Sequence, residues 1–188
     1  MKYLKLFESF KDIDSICKKF GIYNYTINED GTIDVDGHVS FCNRELTSLP
    51  LKFRNVTGSF DCDNNNLSSL EGCPQSVGGD FNCSYNYLTT LEGSPKEVSG
   101  SFFCVSNKIK TFDGVGKIGR FFFCKKNLIW NVWNIINPIN DKCYEIIDTL
   151  LDYDPIREDG IILGRFNELL KNIDREPVTE VEGYEIID

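Results

Sequence analysis

Cysteine and histidine side chains are the most reactive groups in this chain, and their spacing limits the chemistry that they can do. Four of the eight cysteines, Cys62, Cys83, Cys104 and Cys124, recur at intervals of 21, 21 and 20 residues. Thiolate metal centres and disulfide frameworks need cysteines that converge, whereas the chain has no Cys-x-x-Cys pair and no Cys/His cluster. We therefore predict that these four cysteines are structural, and we predict no metal site and no cofactor.

Catalysis by an activated nucleophile would depend on His38, because it is the only histidine of the chain. Its nearest cysteine in the sequence is Cys42, and a cysteine–histidine dyad would need both residues. The chain has no phosphate-binding glycine loop and no dinucleotide-binding glycine motif. We predict that the protein is not an enzyme, that it has no catalytic residues, and that His38 lies on the surface.

The regular cysteines belong to a longer repeat of about 21 residues, which extends from residue 35 to about residue 135. The copy at Phe60, Cys62, Asn65, Leu67 and Leu70 is typical. Its Phe-x-Cys alternation predicts a short strand with both side chains inward, and units of this size must stack to bury their apolar sides. The repeated asparagines are expected to turn inward and to pair their amides with backbone groups. They are Asn65, Asn86, Asn107 and Asn127.

Other elements are predicted on both sides of the repeats. Residues 8–20 have the apolar spacing of an amphipathic helix, and residues 25–41 predict a hairpin with its turn at Asp30 and Gly31. Residues 141–154 predict a helix that ends before Pro155. Its apolar face would contain Tyr144, Ile147, Leu150 and Leu151.

Residues 162–174 predict a further helix, and the last residues predict an extended tail or an edge strand. The fold class is therefore α+β, with about five coils of 20–21 residues and parallel strands that form a solenoid. Three regions are expected: a helix and hairpin cap at 1–34, the solenoid at 35–135, and an acidic helical cap and tail at 136–188.

The pattern Phe-x-Cys-x-x-Asn-x-Leu-x-x-Leu resembles the leucine-rich-repeat signature, with Phe and Cys where Leu is usual. The first copy departs from it at Arg44, and the fifth copy departs at Arg120, Trp130 and Val132. The segments "KLFESF", "DGTIDVDG", "LTSLPLKF" and "VGGDFNCSYNYLTTLEGSPKEV" are similar to short leucine-rich proteins of tailed bacteriophages. This resemblance implies a leucine-rich-repeat solenoid, a phage origin, and binding of a host or phage protein through the outward side chains of the strands.

Strand alternation identifies the outward side chains, which change from acidic in the early copies to apolar and basic in the late copies. The predicted partner-binding residues are Asp61, Asp63, Asn82, Phe103, Val105, Phe121, Phe123 and Lys125. An exposed apolar patch of this kind usually marks a contact surface. The alternative is that the C-terminal helices cover its apolar members.

The distribution of charge bears on the kind of partner. Residues 141–188 contain 14 acidic and 5 basic side chains, whereas acidic and basic residues balance in the first 140. This disfavours nucleic acid as the partner. No apolar run approaches the roughly 20 residues of a membrane helix, and no secretory signal peptide is recognisable. We predict no membrane association and a cytoplasmic location, in the host cytoplasm or in the virion.

The expected function is a non-enzymatic protein–protein interaction module. The alternative is a structural or capsid-packaged phage protein with a cleavable N-terminus. That alternative is based on Leu6-Phe7-Glu8, which resembles the Leu-x-Glu sites of phage head-maturation proteases.

Overall fold

The computed structural model describes residues 12–137, 143–157 and 159–187, and the fold is α+β with mainly parallel strands. Residues 12–20 form helix α1; the start of the predicted helix and Leu6-Phe7-Glu8 lie outside the described residues. Strands β1 (Tyr25–Ile27) and β2 (Ile33–Val35) pair antiparallel, which confirms the predicted hairpin. Its turn is closed at Asp30, whose carboxylate accepts the Thr32 N–H at 3.0 Å.

Two parallel sheets follow, and each repeat contributes one strand to each of them. The first sheet extends from β2 through β4 (Phe53–Val56), β6 (Ser76–Val77), β8 (Glu97–Val98) and β10 (Lys117–Ile118). The second sheet contains β3 (Val39–Ser40), β5 (Phe60–Asp61), β7 (Phe81–Asn82), β9 (Phe102–Phe103) and β11 (Phe122–Phe123). Equivalent residues of successive repeats pair directly, as Phe60 does with Phe81. Repeated side chains therefore lie in columns.

The corner between the two strands of a repeat is tightly stacked on its neighbours. The Gly100 N–H donates to the Gly79 carbonyl at 2.9 Å, and the Gly79 N–H donates to the Gly58 carbonyl at the same distance. A Cβ on Gly100 would lie 2.7 Å from the Gly79 carbonyl oxygen, which is closer than a carbon atom can approach. Glycine is therefore required here by the packing of one repeat on the next.

The inward columns form a continuous core. The Phe81 ring lies 5.9 Å from Phe60 and 4.9 Å from Phe102, measured between centroids, and all three side chains are fully buried. The predicted inward cysteines are buried beside them. Burial raises the pKa of the Cys104 thiol well above its usual range, so this thiol stays protonated and behaves as a small apolar side chain.

The asparagine column satisfies backbone groups, as predicted; Asn65, Asn86 and Asn127 are buried, and Asn107 is half-buried. The Asn86 amide donates to the carbonyls of Cys62 and Cys83 at 3.0 and 3.1 Å, and its Oδ1 accepts the Leu67 N–H at 2.9 Å. Asn65 makes the equivalent bonds one coil earlier, to Phe41 and Cys62. Each side chain thus links its own turn to the coil before it.

The fifth repeat ends in a helix that the sequence did not predict. Helix α2 (Ile129–Ile136) places Trp133 against Phe112 and Phe122, with ring centroids 6.0 and 5.2 Å apart. It therefore buries the core at that end of the stack. The predicted boundary at residues 135 and 136 lies within this helix.

Helices α3 (Cys143–Tyr153) and α4 (Leu163–Asn172) confirm the two helices predicted after residue 140. Ile147 and Leu150 are buried as expected, but Leu151 is 40% exposed, so its assignment to the apolar face is wrong. The helix turns by about 100° per residue, which places Leu151 about 80° from the buried Cys143 and 100° from Leu150, at the edge of the buried side.

The C-terminal segment forms an edge strand, one of the two predicted possibilities. Strand β13 (Ile186–Ile187) pairs parallel with β12 (Ile161–Ile162). The segment also contacts the repeats, because the Tyr184 hydroxyl donates to the Lys110 carbonyl at 2.6 Å. Across the described ranges, no helix has the length and apolar content needed to cross a membrane.

Candidate interaction surface

The predicted partner-binding residues lie on one side of the second sheet, which we call the outward face. Strand register places Asp61 beside Asn82, Asn82 beside Phe103, and Phe103 beside Phe123. These four residues form one row across four neighbouring strands. Parallel strands lie about 4.8 Å apart, so the row is about 14 Å long. The sequence pattern therefore predicted the order of these side chains correctly.

The late-repeat end of the outward face is aromatic and exposed. The Phe103 and Phe123 rings are stacked with centroids 4.8 Å apart and an angle of 11° between their planes, and Phe121 lies 6.0 Å from Phe123. Phe121 is 46% exposed and Phe123 is 37% exposed, whereas Phe103 and Val105 are half-buried. The described parts of the C-terminal helices thus leave the aromatic cluster accessible.

Basic and aromatic side chains are also exposed in the segments that follow the strands of this sheet. Lys125 is exposed, in agreement with its predicted outward position. Tyr85 and Tyr87, which follow β7, are 53% and 54% exposed, and the Lys108 ammonium lies 5.4 Å from the centre of the Tyr87 ring. The tyrosines were not predicted as surface residues of interest. Their position on both sides of the inward Asn86 was the available signal.

The early-repeat end is acidic. One oxygen of Asp61 accepts the Asp63 N–H at 3.0 Å, and Asp80 accepts the Ser101 N–H at 2.7 Å, so backbone groups fix both carboxylates. Burial, and to a smaller extent the neighbouring Asp63, raises the pKa of Asp61. Among the described residues, none of the ion pairs includes these three carboxylates. Their negative charge is therefore not compensated by the cations of this part of the chain.

A shallow depression of about 240 Å³ lies between the acidic end and the aromatic end. Its walls combine carboxylates, an amide and a ring: Ser59, Phe60, Asp61, Asp80, Asn82 and Phe103. This volume is below the roughly 300–1,000 Å³ typical of pockets for small molecules. It is suited to one side chain of a larger partner.

Metal-binding groups converge at the same edge of the face. Cys42, Asp61 and Asp63 each have a ligand atom within 4.8 Å of the other two, and Asp63 Oδ1 is buried without a hydrogen-bond partner in the described chain. A hydrogen bond with Asp63 is the main cause that raises the pKa of Cys42 to about 11. These groups could hold a divalent cation after loss of the thiol proton. The sequence did not predict their convergence, because Cys42 belongs to the repeat before that of Asp61 and Asp63.

His38 is exposed, as predicted. Its Nδ1 accepts the Ser59 N–H at 2.9 Å, so this nitrogen is already used by the backbone of the next repeat. A nitrogen that accepts this bond is not available as the base of a dyad with Cys42.

No protein-family model, curated protein or solved structure matches this chain. Its candidate function is therefore inferred from the geometry of the outward face and from the resemblance of its repeat pattern.

Proposed function

We propose that this chain is a short leucine-rich-repeat solenoid of phage origin that binds a protein partner without catalysing a reaction. The N-terminal helix and hairpin cap one end of the solenoid, and the C-terminal helices cap the other. The partner, a host or phage protein, contacts the outward face. The observation that carries the proposal is the exposed aromatic cluster beside uncompensated carboxylates.

The physical properties of this face suit recognition. Large aromatic side chains dominate the energetics of most protein interfaces, and Phe121 and Phe123 expose much of their surface beside polar neighbours. Phe123 lies in strand β11 and Phe121 directly precedes it, and the inward side chains of this strand are fully buried. A partner therefore meets side chains that are already positioned, and little conformational entropy is lost on binding. Asp61 and Asp63 add a negative end that steers a cationic partner.

The proposal can be tested by replacing Phe121 and Phe123 together with serine. The partner is first captured from a bacterial lysate with the wild-type protein, purified, and titrated against both forms by calorimetry. Each truncated hot-spot side chain commonly costs 1 kcal/mol or more, so the double variant should lose about 2 kcal/mol, or about 30-fold in Kd. Circular dichroism should show an unchanged fold, because both side chains are outward.

Tyr23 provides a matched control, because it is an aromatic residue with 70% exposure outside the outward face. Tyr23→Ser should bind the partner with wild-type affinity. Equal affinity of the wild type and the Phe121/Phe123 variant would reject the outward face as the binding surface.

A further inference from the structure

We infer that the outward face binds an extended peptide segment whose arginine side chain enters the depression between β5 and β7, while an apolar side chain packs on Phe121 and Phe123. This inference rests on the proposed function and specifies the chemistry of the partner. It follows from the charge, the ring geometry and the dimensions of the face.

The depression offers the groups that recognise a guanidinium. Asp61 and Asp80 supply carboxylates held in place by backbone N–H groups, and Phe103 supplies a ring in the same wall. A planar guanidinium can stack its face on an aromatic ring while the N–H groups at its edge bind a carboxylate. An ammonium is not planar and cannot combine the two contacts in this way. The uncompensated charge at this end favours a cationic side chain over a neutral one.

The dimensions of the face favour a single peptide segment over a globular surface. Five strands about 4.8 Å apart make it about 19 Å wide, and three outward positions along a strand span about 13 Å. Such a face is far smaller than the roughly 800 Å² that each partner buries in a standard interface. An extended peptide of about six residues would cross it from end to end.

The separation of the two ends sets the sequence of the peptide. The depression lies between β5 and β7, and Phe121 and Phe123 lie two to three strand spacings away, at about 10–14 Å. Extended residues advance by about 3.3 Å each, so the apolar residue should stand three or four positions from the arginine. The geometry leaves both chain directions open, and both are tested below.

Two peptides serve as probes. Each contains one arginine and one phenylalanine four positions apart in a background of glycine and serine, and the two peptides differ in the order of these residues. Titration into the isotopically labelled protein is followed by amide chemical shifts. We expect one of the two peptides to shift the amides of Asp61, Asn82 and Phe103 in a saturable manner. The same peptide with citrulline, a neutral analogue of arginine, should bind at least tenfold more weakly.

Asp61→Asn combined with Asp80→Asn is the corresponding protein variant, since asparagine keeps an oxygen for each backbone N–H. It should reduce the affinity of the arginine peptide at least tenfold. Glu97→Gln is the matched control, because Glu97 is an exposed acid on β8 of the other sheet, and it should have no effect. Failure of both peptide orders, or equal binding of the citrulline peptide, overturns the inference.

Failure of this inference can be distinguished from failure of the proposed function. If a captured protein partner loses affinity for the Phe121/Phe123 variant but not for the Asp61/Asp80 variant, the outward face remains the proposed binding surface and the arginine inference is rejected. If the partner binds both variants with wild-type affinity, the outward face is rejected as the binding surface.

Discussion

Truncation of Asn86 should destabilise the protein strongly, because this side chain links two coils from inside the core. In Asn86→Ala, the Leu67 N–H loses its acceptor, and leaving a buried donor unsatisfied costs about 1–3 kcal/mol. The carbonyls of Cys62 and Cys83 keep one bond each, from Asn65 and Asn107, so each loses only a second bond worth about 0.5–1.5 kcal/mol.

The loss of unfolding free energy should therefore total about 4 kcal/mol, which corresponds to about 8–16 °C in Tm for a chain of this length. Urea unfolding followed by circular dichroism measures it. Asn66→Ala is the matched control, because Asn66 is exposed and its loss should cost no more than about 0.5 kcal/mol. A loss below about 1 kcal/mol in Asn86→Ala would refute the assignment of the asparagine column as a structural link between coils.

Three further predictions concern other parts of the molecule. Gly100→Ala should lower Tm by several degrees, because the added Cβ would clash with the Gly79 carbonyl. Gly164→Ala, which has open space around it, should instead raise stability by up to about 1 kcal/mol. Equal effects of the two variants on Tm would contradict the tight packing at the Gly100 corner. A hydrogen bond from the Arg54 guanidinium lowers the pKa of Asp34 in the folded protein. The stability that this pair contributes is therefore present above the unfolded pKa of about 4 and is lost as the pH falls through the folded pKa. Arg54→Met should therefore be less stable than wild type at pH 7 and equal to it near pH 2, and a constant difference in unfolding midpoint would refute this. The seven buried cysteines should react with a thiol reagent at pH 8 only after denaturant is added, whereas the half-buried Cys42 can react in the native protein; rapid reaction of more than one thiol per native chain would contradict their burial.

The sequence predicted those parts of the fold where each repeat contributes a recognisable pattern. Phe60 and Cys62 alternate over three residues, so the second sheet was predictable. Beyond the hairpin strand β2, the first sheet was not predicted. The buried residues of β4, Phe53 and Val56, are three positions apart, and β6, β8 and β10 bury one side chain each without a second buried side chain two positions later. Helix α2 was missed because Trp130 and Val132 were assigned to a fifth copy of the repeat that departs from the pattern.

The candidate site was predictable in its membership but not in its exposure. Alternation along a strand decides which side chains point outward, so Asp61, Asn82, Phe103 and Phe123 could be named from the sequence. Whether a helix covers Phe123 depends on how distant parts of the chain pack, which no local pattern contains. The approach of Cys42 to Asp61 and Asp63 depends in the same way on the stacking of separate repeats.

The contrast between the two sides of the second sheet is the strongest argument for a binding role. The inward side repeats one residue, Phe, at positions 60, 81, 102 and 122, because stacked coils of equal size need the same volume in each layer. The outward row changes from Asp61 to Asn82 to Phe103 to Phe123, although register places all four in equivalent positions. Stacking alone does not require a half-buried carboxylate at one end of a row or exposed rings at the other. Both features are unfavourable for an isolated scaffold, since the carboxylate loses hydration and the rings contact water. A partner that supplies a cation at one end and apolar surface at the other would remove both costs at once, and this is the arrangement that we propose for the outward face.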